Sequence, residues 1–201
     1  MLKNDRRARW TLAGTAAGLF MTAAVAYAPA QSVAAAAAGP DTRMVERGGY
    51  LVQAMGCHDC HTPKKMGPNG PEPDMSRALS GHREDAVLAA PPRLEGGWLA
   101  VTSTDLSAWS GPWGISYAFN LTPDENTGLG IWTEEMFVQT MRTGRHMGVS
   151  RPILPPMPWW TLGALSDQDL KSVFAYLQSL KPIKNRVPQP VIAALPAALG
   201  E

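Results

Sequence analysis

Cys57-His58-Asp59-Cys60-His61 is the stretch on which the reading of this chain turns. Two cysteines three positions apart, with a histidine directly after the second, form the attachment signature of c-type haem. The spacing follows from the chemistry. Each thiol adds to one vinyl group of the macrocycle, so both thioethers leave one short turn. His61 then sits under the iron, where its imidazole serves as the proximal ligand. Other uses of a Cys-x-x-Cys pair fit less well. A thioredoxin-like redox pair belongs to an α/β pattern that this chain lacks. A zinc site needs a second ligand pair, and Cys57 and Cys60 are the only cysteines. The cofactor consumes both, which leaves no disulfide to staple the fold. His58 and Asp59, between the cysteines, are expected to face solvent.

The chain has 201 residues, enough for one domain and a leader. Met1–Trp10 carries Lys3, Arg6, Arg7 and Arg9 against one acid, Asp5. Thr11–Ala28 is uncharged and mostly apolar, and an alanine-rich stretch continues to Ala38. A positive head, an apolar middle and a small-residue end over residues 1–38 read as a secretory signal peptide. Retention as an N-terminal membrane anchor is the alternative, because Thr11–Ala28 is at the short edge of what spans a bilayer. Export implies the periplasm, outside the reducing cytoplasm. The whole chain has 18 Lys+Arg and 17 Asp+Glu; without residues 1–38, which hold four and one of these, the formal charge is −2. That balance excludes a nucleic-acid-binding role, which needs a basic stripe, and gives no strong steering field.

The mature part is expected to be mainly helical. Asp41–Gly56 reads as a first helix, with Asp41 or Thr42 as cap and Val45, Tyr50, Leu51 and Met55 giving partly helical apolar spacing. Gly48-Gly49 interrupts it, at a cost of about 1 kcal/mol per glycine, so close packing against another helix is the expected reason. Residues 62–120 form a long, irregular insertion whose prolines exclude a continuous helix. Within it Trp98–Thr102 and Gly114–Asn120 read as short strands of a small hairpin, with Ser110-Gly111-Pro112 as the turn. His82, in a polar loop, is expected to be solvated. Asp124, Asn126 and Glu135 fall at three positions of an EF-hand-like loop, but Gly128 and Leu129 spoil the pattern, so a turn is the reading. A helix follows over Thr133–Thr143, capped by Thr133 and ended by Gly144. The clearest helix is Ser166–Leu180, with Leu170, Val173, Phe174, Leu177 and Leu180 at helical spacing. Residues 191–201 read as a tail.

The second half of the chemistry lies in Ile153-Leu-Pro-Pro-Met-Pro-Trp-Trp160. Pro155, Pro156 and Pro158 fix an extended backbone on both sides of Met157. That suits a thioether sulfur held at a defined place as an axial ligand, where it stabilises ferrous iron and raises the potential. His146 and Met147 are the rival sixth ligands. Met55, Met136 and Met141 sit at helical spacing and read as packing. Trp159 is the aromatic expected at the cofactor, with Trp160, Tyr117 and Trp98 as further candidates. Arg145 and Arg151 flank the distal loop as candidate partners of the propionates.

These pieces, together with Asn120-Leu-Thr-Pro-Asp-Glu-Asn-Thr-Gly-Leu-Gly-Ile-Trp132 and Ser166–Leu177, resemble exported bacterial monohaem cytochromes c. The likeness covers Arg43 to about Pro188 and extends to cytochrome subunits of membrane-bound alcohol and aldehyde dehydrogenases. It implies a cytochrome c-like helical domain over residues 39–190 in which first and last helices cross and haem c lies in the cleft. Cys57 and Cys60 would carry the haem, with His61 and Met157 as its axial ligands. One departure stands out: dehydrogenase cytochrome subunits usually carry several Cys-x-x-Cys-His motifs, and this chain has one. The expected function is a periplasmic one-electron carrier, not itself an enzyme, between redox proteins such as a dehydrogenase, an oxidase or another cytochrome. The alternatives are a cytochrome subunit of a stable dehydrogenase or oxidase complex, and a haem enzyme or gas sensor with a displaceable sixth ligand.

Overall fold

A computed structural model describes residues 41–193. The leader or anchor expected over residues 1–38, and the tail beyond residue 193, lie outside the described residues. Among the described residues no helix is long and apolar enough to cross a membrane.

Three helices build the scaffold, each starting on a side-chain cap that satisfies an otherwise unpaired backbone N–H. Helix α1 (Thr42–Ala54) begins at Asp41, which accepts from Arg43 N. It leads through Gly56, in the left-handed region at φ +67°, into the single turn α2 (Cys57–His61). Helix α3 (Glu134–Thr143) is capped by Thr133 and closed by Gly144 at φ +65°. After the short α4 (Trp159–Leu162), helix α5 (Asp167–Ser179) starts on Ser166, whose hydroxyl accepts from Asp169 N.

Helix α1 packs along α5 through its glycines. A Cβ on Gly48 would lie 2.7 Å from Tyr176 Cβ and against the Ser172 carbonyl, and one on Gly49 would lie 3.0 Å from the Tyr176 ring. The helical cost of the glycine pair is therefore offset by a close backbone approach. Arg47 Nε, 2.9 Å from Asp169 Oδ1, ties the same two helices at their surface. Helix α3 joins them through Phe137, whose ring centroid is 5.4 Å from that of Phe174. The core is Leu51, Val52, Phe137, Met141 and the α5 stripe Leu170, Val173, Phe174 and Leu177, with Leu79 and Leu129 from the loops. Met141 and Met55 pack as expected, whereas Met136 is half-buried and outside the core cluster.

The insertion holds more strand than the sequence suggests. A first hairpin pairs β1 (Lys64–Gly67) with β2 (Gly70–Pro73). Lys-Lys-Met-Gly and Gly-Pro-Glu-Pro show no apolar alternation, so this hairpin has no periodic signature. A second antiparallel sheet has the order β3-β4-β5-β6, from β3 (Val101–Thr102), β4 (Ala108–Gly111), β5 (Gly114–Tyr117) and β6 (Val191–Ile192). The two expected strands are present but do not pair with each other: Val101–Thr102 and Gly114–Tyr117 each pair with β4, a strand the sequence reading left in the connection. Ser110 and Gly111 belong to β4, the chain reverses at Pro112-Trp113, and Gly114 leaves the turn at φ +104°. Trp98–Ala100 stay outside the sheet. Val191 and Ile192, placed by the sequence in the tail, add the edge strand, although both side chains remain more than half exposed.

Polar side chains bind the chain after α5 to these loops. Asn185 is fully buried. Its side-chain amide donates to Ser80 O (2.7 Å) and His82 O (2.8 Å) and accepts from Glu84 N (3.0 Å) and Arg77 Nη2 (3.2 Å). Asn120, also fully buried, donates to Ile183 O at 2.8 Å and accepts from Thr122 N and Thr122 Oγ1. Asp124 is the acceptor inside its own turn, taking bonds from Asn126 N, Thr127 N and Thr127 Oγ1.

Candidate functional site

Between the scaffold and the loops lies a cavity of about 690 Å³, in the range of cofactor pockets. Helix α2 delivers Cys57, Cys60 and His61 to its wall, and the proline-flanked loop delivers Met157. All four residues expected at the cofactor thus line one space. Both rival ligands, His146 and Met147, line it too. Met147 does so with φ +53°, a left-handed conformation in a non-glycine residue, whereas Met157 sits between prolines and packs on the core. The sequence reading put Met157 first with His146 and Met147 as rivals, and all three line the cavity.

The donor set fits a c-type haem. Cys57 and Cys60 are free thiols, not a disulfide. Burial pushes the Cys57 thiol up to about 11 and raises Cys60 as well. Both are therefore protonated and poorly nucleophilic in the folded chain at neutral pH. Burial also lowers the His61 imidazole, which keeps it neutral, the form that binds a metal. His61 Nδ1 lies 2.8 Å from Phe119 O. A carbonyl only accepts, so Nδ1 carries the proton and Nε2 is the nitrogen with a free lone pair. Two thiols, one oriented imidazole and a thioether on the wall of a mainly apolar cavity suit a covalent haem.

The loops supply the rest of the lining. Trp109 of β4, Tyr117 at the end of β5, Phe119 just beyond it and Trp132 face the space, with Arg151 half-buried among them. Burial lowers the Arg151 guanidinium. His146 packs edge-on to Phe119 and Trp132, at centroid distances of 5.4 and 5.1 Å. It is a cavity residue rather than a surface one.

Several aromatic and polar expectations need correction. Trp159 is absent from the lining; its ring lies over Gly144, where a Cβ would come within 2.7 Å of it. That lid closes the C-terminus of α3 instead of touching the cofactor space. Trp98 is 75% exposed and also away from it. Arg145 turns outward and donates to Ser150 O, so of the two arginines only Arg151 reaches the cavity. His58 does not simply face solvent, since its Nδ1 is 2.8 Å from Thr62 Oγ1. His82 is buried, not solvated, at 1% exposure. Trp109 and Phe119 carried no sequence signal for their roles. The part Phe119 plays is a backbone carbonyl, which any residue offers.

No family model matches the chain. A nicotinate dehydrogenase component of Pseudomonas putida is 28% identical over 192 residues, which are 92% of this chain and 13% of that protein. The fructose dehydrogenase cytochrome subunit of Gluconobacter japonicus is 30% identical over 162 residues, 78% of this chain and 26% of that subunit. The cytochrome c subunit of the quinone alcohol dehydrogenase of Gluconobacter oxydans is 27% identical over 175 residues, 85% of this chain and 29% of that subunit. The chain therefore spans less than a third of the length of each of these relatives. Over most of its own length it is a distant homologue of the cytochrome c subunits of dehydrogenases.

Proposed function

We propose that this chain is a periplasmic one-electron carrier holding a single covalent haem c, with Cys57 and Cys60 as attachment points and His61 and Met157 as axial ligands. The observation that carries the reading is the convergence of these four side chains on one mainly apolar cavity, with His61 already oriented by the Phe119 carbonyl. When bound, the haem supplies reversible Fe(III)/Fe(II) chemistry. The chain's own residues do the rest. His61 presents Nε2, Met157 presents a soft sulfur that favours the ferrous state, and Trp109, Phe119 and Trp132 exclude water. Attachment precedes folding in this scheme, because the folded chain holds Cys57 as a buried thiol.

The test is the absorption spectrum of purified protein, oxidised and reduced, for wild type and Met157→Ala. A long-wavelength sulfur–iron charge-transfer band in the oxidised wild type, lost in Met157→Ala with the covalent haem retained, is the expected result. A band that survives the substitution moves the sixth ligand to Met147. A low-spin wild type without the band moves it to His146.

A second reading, a subunit held in a dehydrogenase complex, is favoured by one feature of the insertion. Residues 85–99 run without regular structure and, apart from half-buried Leu94, exposed, with Val87 97%, Trp98 75% and Leu99 65% exposed. Apolar side chains concentrated in one such stretch mark an interaction surface. The named relatives include cytochrome subunits of fructose and quinone alcohol dehydrogenases, so a dehydrogenase is the proposed partner. Co-elution of the native protein with a dehydrogenase activity, abolished by Trp98→Ser, would favour the complex; elution as a free monomer would favour the carrier.

A further inference from the structure

The loops grip His61 twice. Its carbonyl accepts from Gly81 N, and its Nδ1 donates to Phe119 O, both at 2.8 Å. The two gripping segments are fastened to each other. His82 N donates to Ala118 O at 2.9 Å, and Gly81 lies so close to the next peptide that a Cβ would come within 2.6 Å of Phe119 C.

Behind this pair runs a chain of polar side chains, His82 and Ser107 buried and Asp105 and Ser103 half-buried, that lines no part of the cavity. His82 Nδ1 is 2.7 Å from Ser107 Oγ, and Ser107, fully buried, lies 2.7 Å from Asp105 Oδ2. The other Asp105 oxygen accepts from Ser103 Oγ (2.6 Å) and Ser107 N (3.2 Å). Ser107 O in turn accepts from Ala118 N at 2.8 Å. The proton directions are fixed by what each group can do. An ionised carboxylate only accepts, so the single Ser107 proton goes to Asp105. Ser107 Oγ must then accept from His82, which carries its proton on Nδ1. Burial works to raise the Asp105 carboxyl, but the bonds from Ser103 and Ser107 outweigh it and hold the group below the usual carboxylate range.

We infer that His82, Ser107 and Asp105 are positioning residues for the axial imidazole: they hold residues 118–119 so that the Phe119 carbonyl keeps its bond to His61 Nδ1, and they thereby set the reduction potential. The inference rests on the reading of His61 as a haem ligand. A ligand histidine whose second nitrogen donates to a fixed carbonyl is a stronger base, and a stronger donor favours the ferric state. Slack in the Phe119 carbonyl weakens that donation and shifts the balance toward ferrous iron. His82 contributes by its hydrogen bond rather than by its ring, although the ring also packs 4.9 Å from that of Tyr117.

The experiment is a redox titration of the full chain with covalent haem, comparing wild type with three variants. Ser107→Ala removes the link. His82→Phe keeps a ring beside Tyr117 but no donor. His82→Asn keeps an N–H at the place of Nδ1 without the ring. Ser107→Ala and His82→Phe are expected to raise the ferrous-to-ferric ratio at a given potential by roughly three- to tenfold, tenfold being about 59 mV for one electron. His82→Asn is expected to stay within about twofold of wild type on the same scale. In the reduced protein, hydrogen exchange of His61 Nδ1–H, followed by NMR, is expected to quicken in the first two variants only. Should Ser107→Ala not fold, Asp105→Asn carries the same test with the same expected direction. Unchanged potentials and exchange in variants that retain wild-type ligation overturn the relay alone. An equal shift in His82→Asn and His82→Phe assigns the effect to ring packing and overturns it too. A wild type without covalent haem, or without imidazole ligation, overturns the underlying reading and the relay with it.

Discussion

The cavity has two kinds of wall. On one side, helices α1, α3 and α5 hold together by apolar contact, with Leu51, Val52, Phe137, Leu170 and Leu177 all buried. On the other, residues 77–127 and 181–193 carry few buried apolar side chains and hold together through Asn120, Asn185 and Thr122, each fully buried and bonded to backbone. Apolar burial is non-directional and tolerates small adjustments. A buried amide is directional, and its loss leaves several partners unsatisfied at once. The second wall is therefore the more brittle one, residue for residue, and it is the one that orients His61.

The sharpest way to break this contrast is Asn185→Ala. Two backbone carbonyls, one backbone N–H and the Arg77 guanidinium lose their partner together. The expected loss is about 4 kcal/mol in urea unfolding, more than a buried leucine truncation of typical cost. A loss below that of Leu177→Ala, itself about 3 kcal/mol, would show that the polar wall is not brittle. On the helical side, Gly48→Val forces a branched side chain against the Ser172 carbonyl and Tyr176 Cβ. Overpacking of this kind costs about 3 kcal/mol, read in the same unfolding assay, and a near-neutral result would mean that α1 and α5 can part without penalty.

Acid provides a gentler comparison, because the two walls differ in buried histidine. Burial lowers the His82 imidazole, with Asp105 opposing. The unfolded chain then takes up a proton that the folded chain refuses as pH falls below about 6.5. The sign is fixed by that difference: stability drops on going from pH 7 to pH 5. His58 and His146, also lowered by burial, contribute in the same direction. Urea unfolding at both pH values is expected to show a smaller drop in His82→Phe than in wild type, and equal drops would clear His82 of any share.

How much was legible follows the same division. The α5 stripe, the Thr133 cap, Asp41 as one of two candidate caps, and the Gly48-Gly49 approach were readable because period and capping chemistry are local properties of sequence. The cysteine–histidine motif stood out because attachment of a c-type haem would dictate its spacing. The Phe119 carbonyl, the Asn185 bonds and the burial of His82 were not. Side-chain bonds to backbone have no period, and their partners lie far apart in the chain. Trp159 misled for a related reason, since proximity in sequence to Met157 does not fix which way an indole turns. Trp109 reaches the cavity only because the β4 register points it there.

The bonds of Asn185 join it to residues 77–84, about a hundred positions earlier in the chain. A polypeptide emerging from its N-terminus presents the cysteine motif, the first helix and the whole insertion before residue 185 is available. Until then the loop wall has no latch, and long-range closure is slow relative to local helix formation. That order of emergence leaves a window in which both thiols are accessible and the pocket is open on one side. Arrival of residues 181–193 closes that window, so this segment acts as a timer for assembly as well as a strap.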